Sequence, residues 1–193
     1  LAHLLLRPVR LGRGRIPKTG PVIVAANHRS FLDPFVIGLL TRRKMYFVAK
    51  AELFHNRAVG WLLGALGVFP VRRGGSDRKM LVTALEILRR GDCLMIFPEG
   101  TRTRRPELST PMRGFGKLAL RSGAAVVPVT VAGTGSSERR RLGVHRILVS
   151  AGEPQRCADC AQTDGRPDQL LTERVWAEVE RQWSMLLTVG ATL

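Results

Sequence analysis

Six short apolar runs, separated by longer helical patterns, restrict the fold of this chain more than any other feature. They are PVIVAA (21–26), MYFVA (45–49), GVFPV (67–71), CLMIF (93–97), AVVPVTV (125–131) and HRILVS (145–150). Each is β-branched or continuously apolar rather than alternating, as strands buried on both faces are. Between them, Asp33 and Pro34 read as the N-cap and first residue of a helix over FVIGLL. Ser76 reads as the cap of DRKMLVTALEILRR, where Met80, Leu81, Ala84, Leu85 and Leu88 share a face and Gly91 ends the helix. GFGKLALRSG is a shorter helix closed by Gly123, and Leu171, Val175, Val179, Trp183 and Leu186 mark a long amphipathic helix over 168–187. This alternation predicts an α/β fold: a central, mostly parallel or mixed sheet flanked by helices. With 193 residues and no internal repeat, 1–193 reads as one domain. Residues 152–167 read as a loose loop, and 133–146 as a strongly basic one.

Chemistry-bearing residues gather at the ends of three of these runs. After the first comes NHRSFLD, with His28 five residues before Asp33. A carboxylate that binds one imidazole nitrogen fixes the tautomer and leaves the other nitrogen to take a proton. Inside one regular helix that spacing would separate the side chains by ~140° in rotation and ~7.5 Å in rise. The pair can meet only if His28 lies in a turn and Asp33 at the helix start, where Pro34 independently puts it. After CLMIF comes FPEGTRTRR: Pro98 and Gly100 suit a tight turn, Glu99 supplies an acid, and Thr101, Arg102 and Arg104 suit a phosphate. After GVFPV come Arg72 and Arg73, followed by glycines. Each group taken alone also reads as an ordinary turn or a solvated basic loop. Three strand ends carrying a base, an acid and arginines argue for a site, since open α/β sheets bind ligands at strand ends.

These segments resemble, in order, the conserved blocks of the glycerolipid acyltransferases, best known as 1-acylglycerol-3-phosphate acyltransferases. NHRSFLD matches the N-H-x-x-x-x-D signature, GVFPVRRG the second block, FPEGTRTR the third and VVPVTV the fourth. VAKAEL (48–53) and the run at 114–129 are also similar, and the likeness spans about 15–150. It implies transfer of a fatty acyl group from a thioester, on coenzyme A or acyl carrier protein, to a glycerol hydroxyl. His28 would be the general base and Asp33 its orienting partner. Arg72 and Arg102 would hold the acceptor's phosphate. Glu99, Gly100 and Thr101 would shape the acceptor pocket. A turn N–H near Asn27 or Gly100 would serve the oxyanion. Ser30 belongs to the block but reads equally as a turn residue, and no G-x-S-x-G elbow points to a serine nucleophile. No cofactor or metal is called for.

Charge narrows the partners. Thirty-one Lys and Arg against fifteen Asp and Glu give +16, which calls for an anionic partner. A lysophospholipid acceptor, an acidic acyl donor and an anionic membrane surface all fit. Nucleic acid fits the charge, but 6% aromatic residues and no binding motif argue against it. Glycerol 3-phosphate, a lyso-amino-lipid or a glycolipid stay open as other acceptors. No apolar run approaches the ~20 residues of a membrane span. The expectation is a peripheral protein on the cytoplasmic face, touching lipid through its N-terminal segment or VGWLLGALG (59–67). The chain starts at Leu1 rather than Met, which leaves an upstream anchor open. Cys157 and Cys160 form a lone C-x-x-C, weak as a metal or redox motif without a second ligand pair.

Overall fold

A computed structural model describes residues 8–50, 55, 64, 67–71, 77–112, 114–135, 146–160 and 166–192. Strands β1 (Val9–Leu11), β2 (Val22–Ala26), β3 (Met45–Lys50), β4 (Val68–Val71), β5 (Cys93–Ile96), β6 (Ala125–Ala132) and β7 (Leu148–Ala151) form one seven-stranded sheet in the order β1-β7-β6-β2-β5-β3-β4. Five of them, β6, β2, β5, β3 and β4, run parallel, and β7 joins β6 antiparallel. The helices are α1 (Asp33–Gly38), α2 (Asp77–Arg89), α3 (Gly114–Ser122) and α4 (Pro167–Thr192), with a 3-10 turn at Cys157–Cys160. The expected α/β sheet is therefore present, mixed at one junction.

The central strands are buried on both faces, which explains their unbroken apolar sequences. In β2, Val22, Val24 and Ala26 point to one side with Val36, Ile37 and Leu40 of the α1 region. Ile23 and Ala25 point to the other, with Ala84, Ile87 and Leu88 of α2, Phe115, Leu118 and Ala119 of α3, and Leu171 and Val175 of α4. The end of α4 buries Trp183 and Leu186 against Ala132 and Leu148. All five residues expected on the inner face of the C-terminal helix are buried. The helix extends beyond the expected 168–187 at both ends. On α2 the face is turned slightly from the expected one, since Met80 is exposed and Ile87 takes a core position.

Three further expectations change. Strand β1 carries no apolar run; its three residues are strand because they pair with β7, Val9 opposite Leu148. The stretch after β7 is not loose where it is described. Gln155 and Val126 exchange two backbone hydrogen bonds of 2.7 and 2.8 Å, and Gly152 N–H donates to Pro128 O at 2.8 Å. The regular β6–β7 ladder spans 129–132 and ends beside Pro128, which has no N–H to continue it. Asp33 is the first residue of α1 rather than its cap; Leu32 holds the cap position without a side-chain bond. Pro34 still opens the helix as expected, because its ring pre-sets the helical φ. Ser76, the 59–67 segment apart from Gly64 and Gly67, the N-terminal residues 1–7 and the basic loop at 136–145 lie outside the described residues.

Two thiols test the packing directly. Cys160 is buried beneath α4, and burial pushes the Cys157 thiol up to about 11. Cys157 is therefore protonated at neutral pH, and only the thiolate is a good nucleophile. Alkylation of Cys157 should be slow at pH 7.5 and rise toward pH 11, whereas a free cysteine is half-ionised near pH ~8.5. Fast labelling at neutral pH would contradict this packing. A second prediction concerns α3 and α4. A Cβ on Gly116 would run into the Asp168 carbonyl oxygen and the Thr172 hydroxyl on α4. Gly116→Ala should destabilise the fold by about 2 kcal/mol, the usual cost of overpacking. That corresponds to a fall in Tm of roughly 4–8 °C for a chain of this size, and an unchanged Tm would refute the close approach.

Candidate active site

The site begins with strand register. β2 and β5 are parallel neighbours, with Ala25 opposite Ile96. Three residues further along both strands, His28 stands beside Glu99, and the His28 N–H donates to Glu99 Oε1 at 2.8 Å. Thr103 N–H returns a bond to His28 O at 2.9 Å. The NHRSFLD and FPEGTRTRR turns are thus joined at their backbones. Phe97 stacks on the His28 ring, centroids 4.0 Å apart and planes inclined by 18°.

His28 and Asp33 do meet. Nδ1 lies 2.8 Å from Asp33 Oδ2. The same oxygen accepts the N–H groups of Arg29 at 2.6 Å and Ser30 at 2.7 Å. Oδ1 accepts the Thr134 hydroxyl at 2.6 Å. Those two backbone groups can only donate, so Oδ2 is an acceptor, and the proton of the third contact belongs to His28 Nδ1. In neutral imidazole the lone pair then sits on Nε2, which no described residue engages. Asp33 is fully buried, while the His28 side chain is 18% exposed. This arrangement presents a base to incoming ligand and shields its partner. The carboxylate faces backward to the turn before the helix and not to the helix's own N–H groups, which refines the expected capping role.

The other expected residues divide into outward and inward groups. Arg102 and Thr101 are exposed, and the Arg102 guanidinium lies 3.8 Å from the centroid of the Phe31 ring. Glu99 turns inward: Oε2 accepts the Thr103 hydroxyl and the Ser109 N–H, the latter at 2.9 Å. Its carboxylate ties the turn to His28, and Glu99 is only 7% exposed. The fully buried Asn27 side chain is committed to β6, accepting from Val131 N at 2.8 Å and donating to Val131 O at 2.9 Å. Gly100 has φ +69°, and its N–H is used within the turn, donating to Phe97 O at 2.9 Å. That correction removes the Gly100 N–H from the candidates for an oxyanion donor. The positive φ favours glycine at this position, and a Cβ there would also push aside the exposed Met112 methyl. Ser30 is a turn residue, its hydroxyl accepting the Leu32 N–H at 3.3 Å. Arg72 lies outside the described residues. Strand β4, which precedes it, is three strands away from β2, about 14 Å at ordinary strand spacing.

Thr134, Thr103, Ser109 and Arg29 were not among the expected site residues. Arg29 is buried, donates to the carbonyls of Thr103 at 3.1 Å and Pro106 at 2.7 Å and to that of Arg105, and stacks over Trp183 at 4.2 Å. It clamps the arginine-rich turn beneath the dyad. Thr103 sits inside the FPEGTRTRR block, so its proximity was a weak signal; Thr134 had none.

Known proteins similar to this chain identify its family and fold. The family model described as Acyltransferase matches residues 11–132, which include both turns and β6. A chloroplastic 1-acyl-sn-glycerol-3-phosphate acyltransferase of Arabidopsis thaliana is 34% identical over 117 residues, covering 60% of this chain and 33% of that protein. A lyso-ornithine lipid O-acyltransferase of Pseudomonas aeruginosa is 37% identical over 119 residues, covering 61% of this chain and 45% of that one. The chain thus spans between a third and a half of the length of these two relatives. The crystal structure of the 1-acyl-sn-glycerophosphate acyltransferase PlsC of Thermotoga maritima superimposes with a TM-score of 0.75 at 25% identity, over 96% of this chain and 75% of that one. By the extent of the family match and the shared fold, this chain belongs to the acyltransferase family.

Proposed function

We propose that the protein transfers a fatty acyl group from an acyl thioester, acyl-CoA or acyl carrier protein, to the free hydroxyl of a 1-acylglycerol 3-phosphate, giving phosphatidic acid. The observation that carries this reading is the His28–Asp33 contact, with its buried carboxylate and an Nε2 that no described residue engages. His28 Nε2 accepts the acceptor's hydroxyl proton as the oxygen attacks the thioester carbon. The tetrahedral intermediate collapses, the C–S bond breaks, and the thiolate takes the proton back from Nε2. Asp33 holds the tautomer and stabilises the imidazolium between the two transfers. No acyl-enzyme and no cofactor beyond the donor is needed. Arg102, exposed beside the site, binds the acceptor's phosphate with a guanidinium fork. Glu99 acts through the backbone of His28, and Asn27 through β6.

A second acceptor is favoured by a specific observation: the Pseudomonas aeruginosa relative is named for a lyso-ornithine lipid. The chemistry at His28 would be the same, and only the headgroup contact would differ. No helix among the described residues is long and apolar enough to cross a membrane. A peripheral position on the cytoplasmic face suits a lipid acceptor and the +16 charge.

Variants at three positions test this assignment. His28→Ala should lower kcat by about 10³-fold or more, within the range expected for losing a positioned base, while acceptor binding survives. Retained turnover would exclude His28 as the base. Arg102→Ala should raise the KM for lysophosphatidate about tenfold and leave that for an uncharged, phosphate-free monoacylglycerol nearly unchanged, since only the first offers an anion to the fork. Equal impairment of both acceptors would exclude the phosphate role. Thr134→Val should lower kcat about 3- to 10-fold with little change in KM, because one oxygen of a buried carboxylate loses its donor. Thr134→Ser should restore kcat, and a Ser variant as slow as Val would show that the hydroxyl is not what matters.

A further inference from the structure

Of the seven exposed large apolar side chains among the described residues, three follow His28 within seven positions, and the others include Met80 and Val82 on α2 and Leu120 on α3. Phe31 is 61% exposed and Leu32 36%, both in the stretch that links His28 to α1, and Phe35, in the first turn of α1, is 40% exposed. Met112, 60% exposed, lies beside Gly100 on the neighbouring turn. Contiguous exposed apolar surface beside a site marks something that covers it. The flanking charge indicates what. Arg102 lies over Phe31, and Arg10 donates to Leu39 O at the far end of α1, at 3.4 Å. Aromatic and aliphatic side chains bordered by arginines match the boundary between acyl chains and anionic headgroups, where rings enter the apolar layer and guanidinium groups meet phosphates. A protein of net charge +16 is attracted to such a surface from a distance.

We propose that Phe31, Leu32 and Phe35, bordered by Arg102 and Arg10, are the surface on which this protein rests on an anionic lipid bilayer. The mouth of the His28 site then faces the membrane, and a lipid acceptor reaches Nε2 without leaving it. The proposal rests on reading the site as one that acts on a lipid acceptor, but vesicle binding is measured without turnover, so the two can fail separately.

The test uses the full chain and a Leu32→Ser/Phe35→Ser double variant, co-sedimented with vesicles of phosphatidylcholine alone or mixed with phosphatidylglycerol. The native protein should bind the mixed vesicles more strongly. The variant should bind them at least ~5-fold less, since membrane affinity scales with the apolar area inserted. It should keep its Tm and its turnover of a short-chain, water-soluble acceptor, and lose turnover of an acceptor embedded in vesicles. Unchanged vesicle binding overturns the proposal. A large fall in Tm overturns it too, because the patch would then be packed within this chain. Intact vesicle binding together with conversion of a dimer into a monomer would assign the patch to a second copy and also overturn it. Binding through the patch by a protein that turns over no lipid acceptor would support the surface and refute only the activity.

Discussion

Everything at this site depends on one buried carboxylate. Asp33 has no exposed surface, and removing a carboxylate from water is costly unless donors replace the water. Four donors do so: the His28 ring, the Arg29 and Ser30 N–H groups and the Thr134 hydroxyl. Two of these are backbone groups, so the turn between strand and helix is shaped around Asp33. One is the imidazole, so the His28 ring is oriented by the same contact that holds the turn. The fourth arrives from beyond β6, and it ties the turn to a strand-end loop more than a hundred residues later.

A second network holds the neighbouring turn against the first. Glu99 receives the His28 N–H on one oxygen and the Thr103 and Ser109 donors on the other. Arg29 grips three carbonyls of the following segment. Both are buried ionisable groups whose compensation comes mostly from backbone. Truncating either would leave buried donors or acceptors without partners, a loss of about 1–3 kcal/mol for each orphaned group. Arg102, by contrast, is exposed and lies over the Phe31 ring in the segment that follows His28.

Much of this was legible in the sequence, for identifiable reasons. The buried strands announced themselves because a strand covered on both faces must be apolar throughout. Helical geometry combined with Pro34 left one place where His28 and Asp33 could meet, the turn before the helix, and they meet there. Glu99 was noticed, but its direction was not, since a carboxylate after a strand can point either way and only the register with β2 settles it. Asn27 was read as part of the site, and its amide is taken up by the backbone of Val131 in β6. Strand β1 was invisible because pairing with β7, not composition, makes it a strand. Thr134 was invisible because a hydroxyl 101 residues from its partner carries no local pattern. Those misses share a cause: each is a long-range contact that exists only once the sheet order is known.

The central claim is that Asp33 keeps the proton on His28 Nδ1 and so leaves the Nε2 lone pair free for the acceptor hydroxyl. Nitrogen-15 NMR of labelled His28, at a pH where the imidazole is neutral, reads this directly. The account predicts a protonated Nδ1 and an unprotonated Nε2 in the native protein, with that preference lost in Asp33→Asn. A native spectrum with the proton on Nε2, or a tautomer indifferent to Asp33, would contradict it.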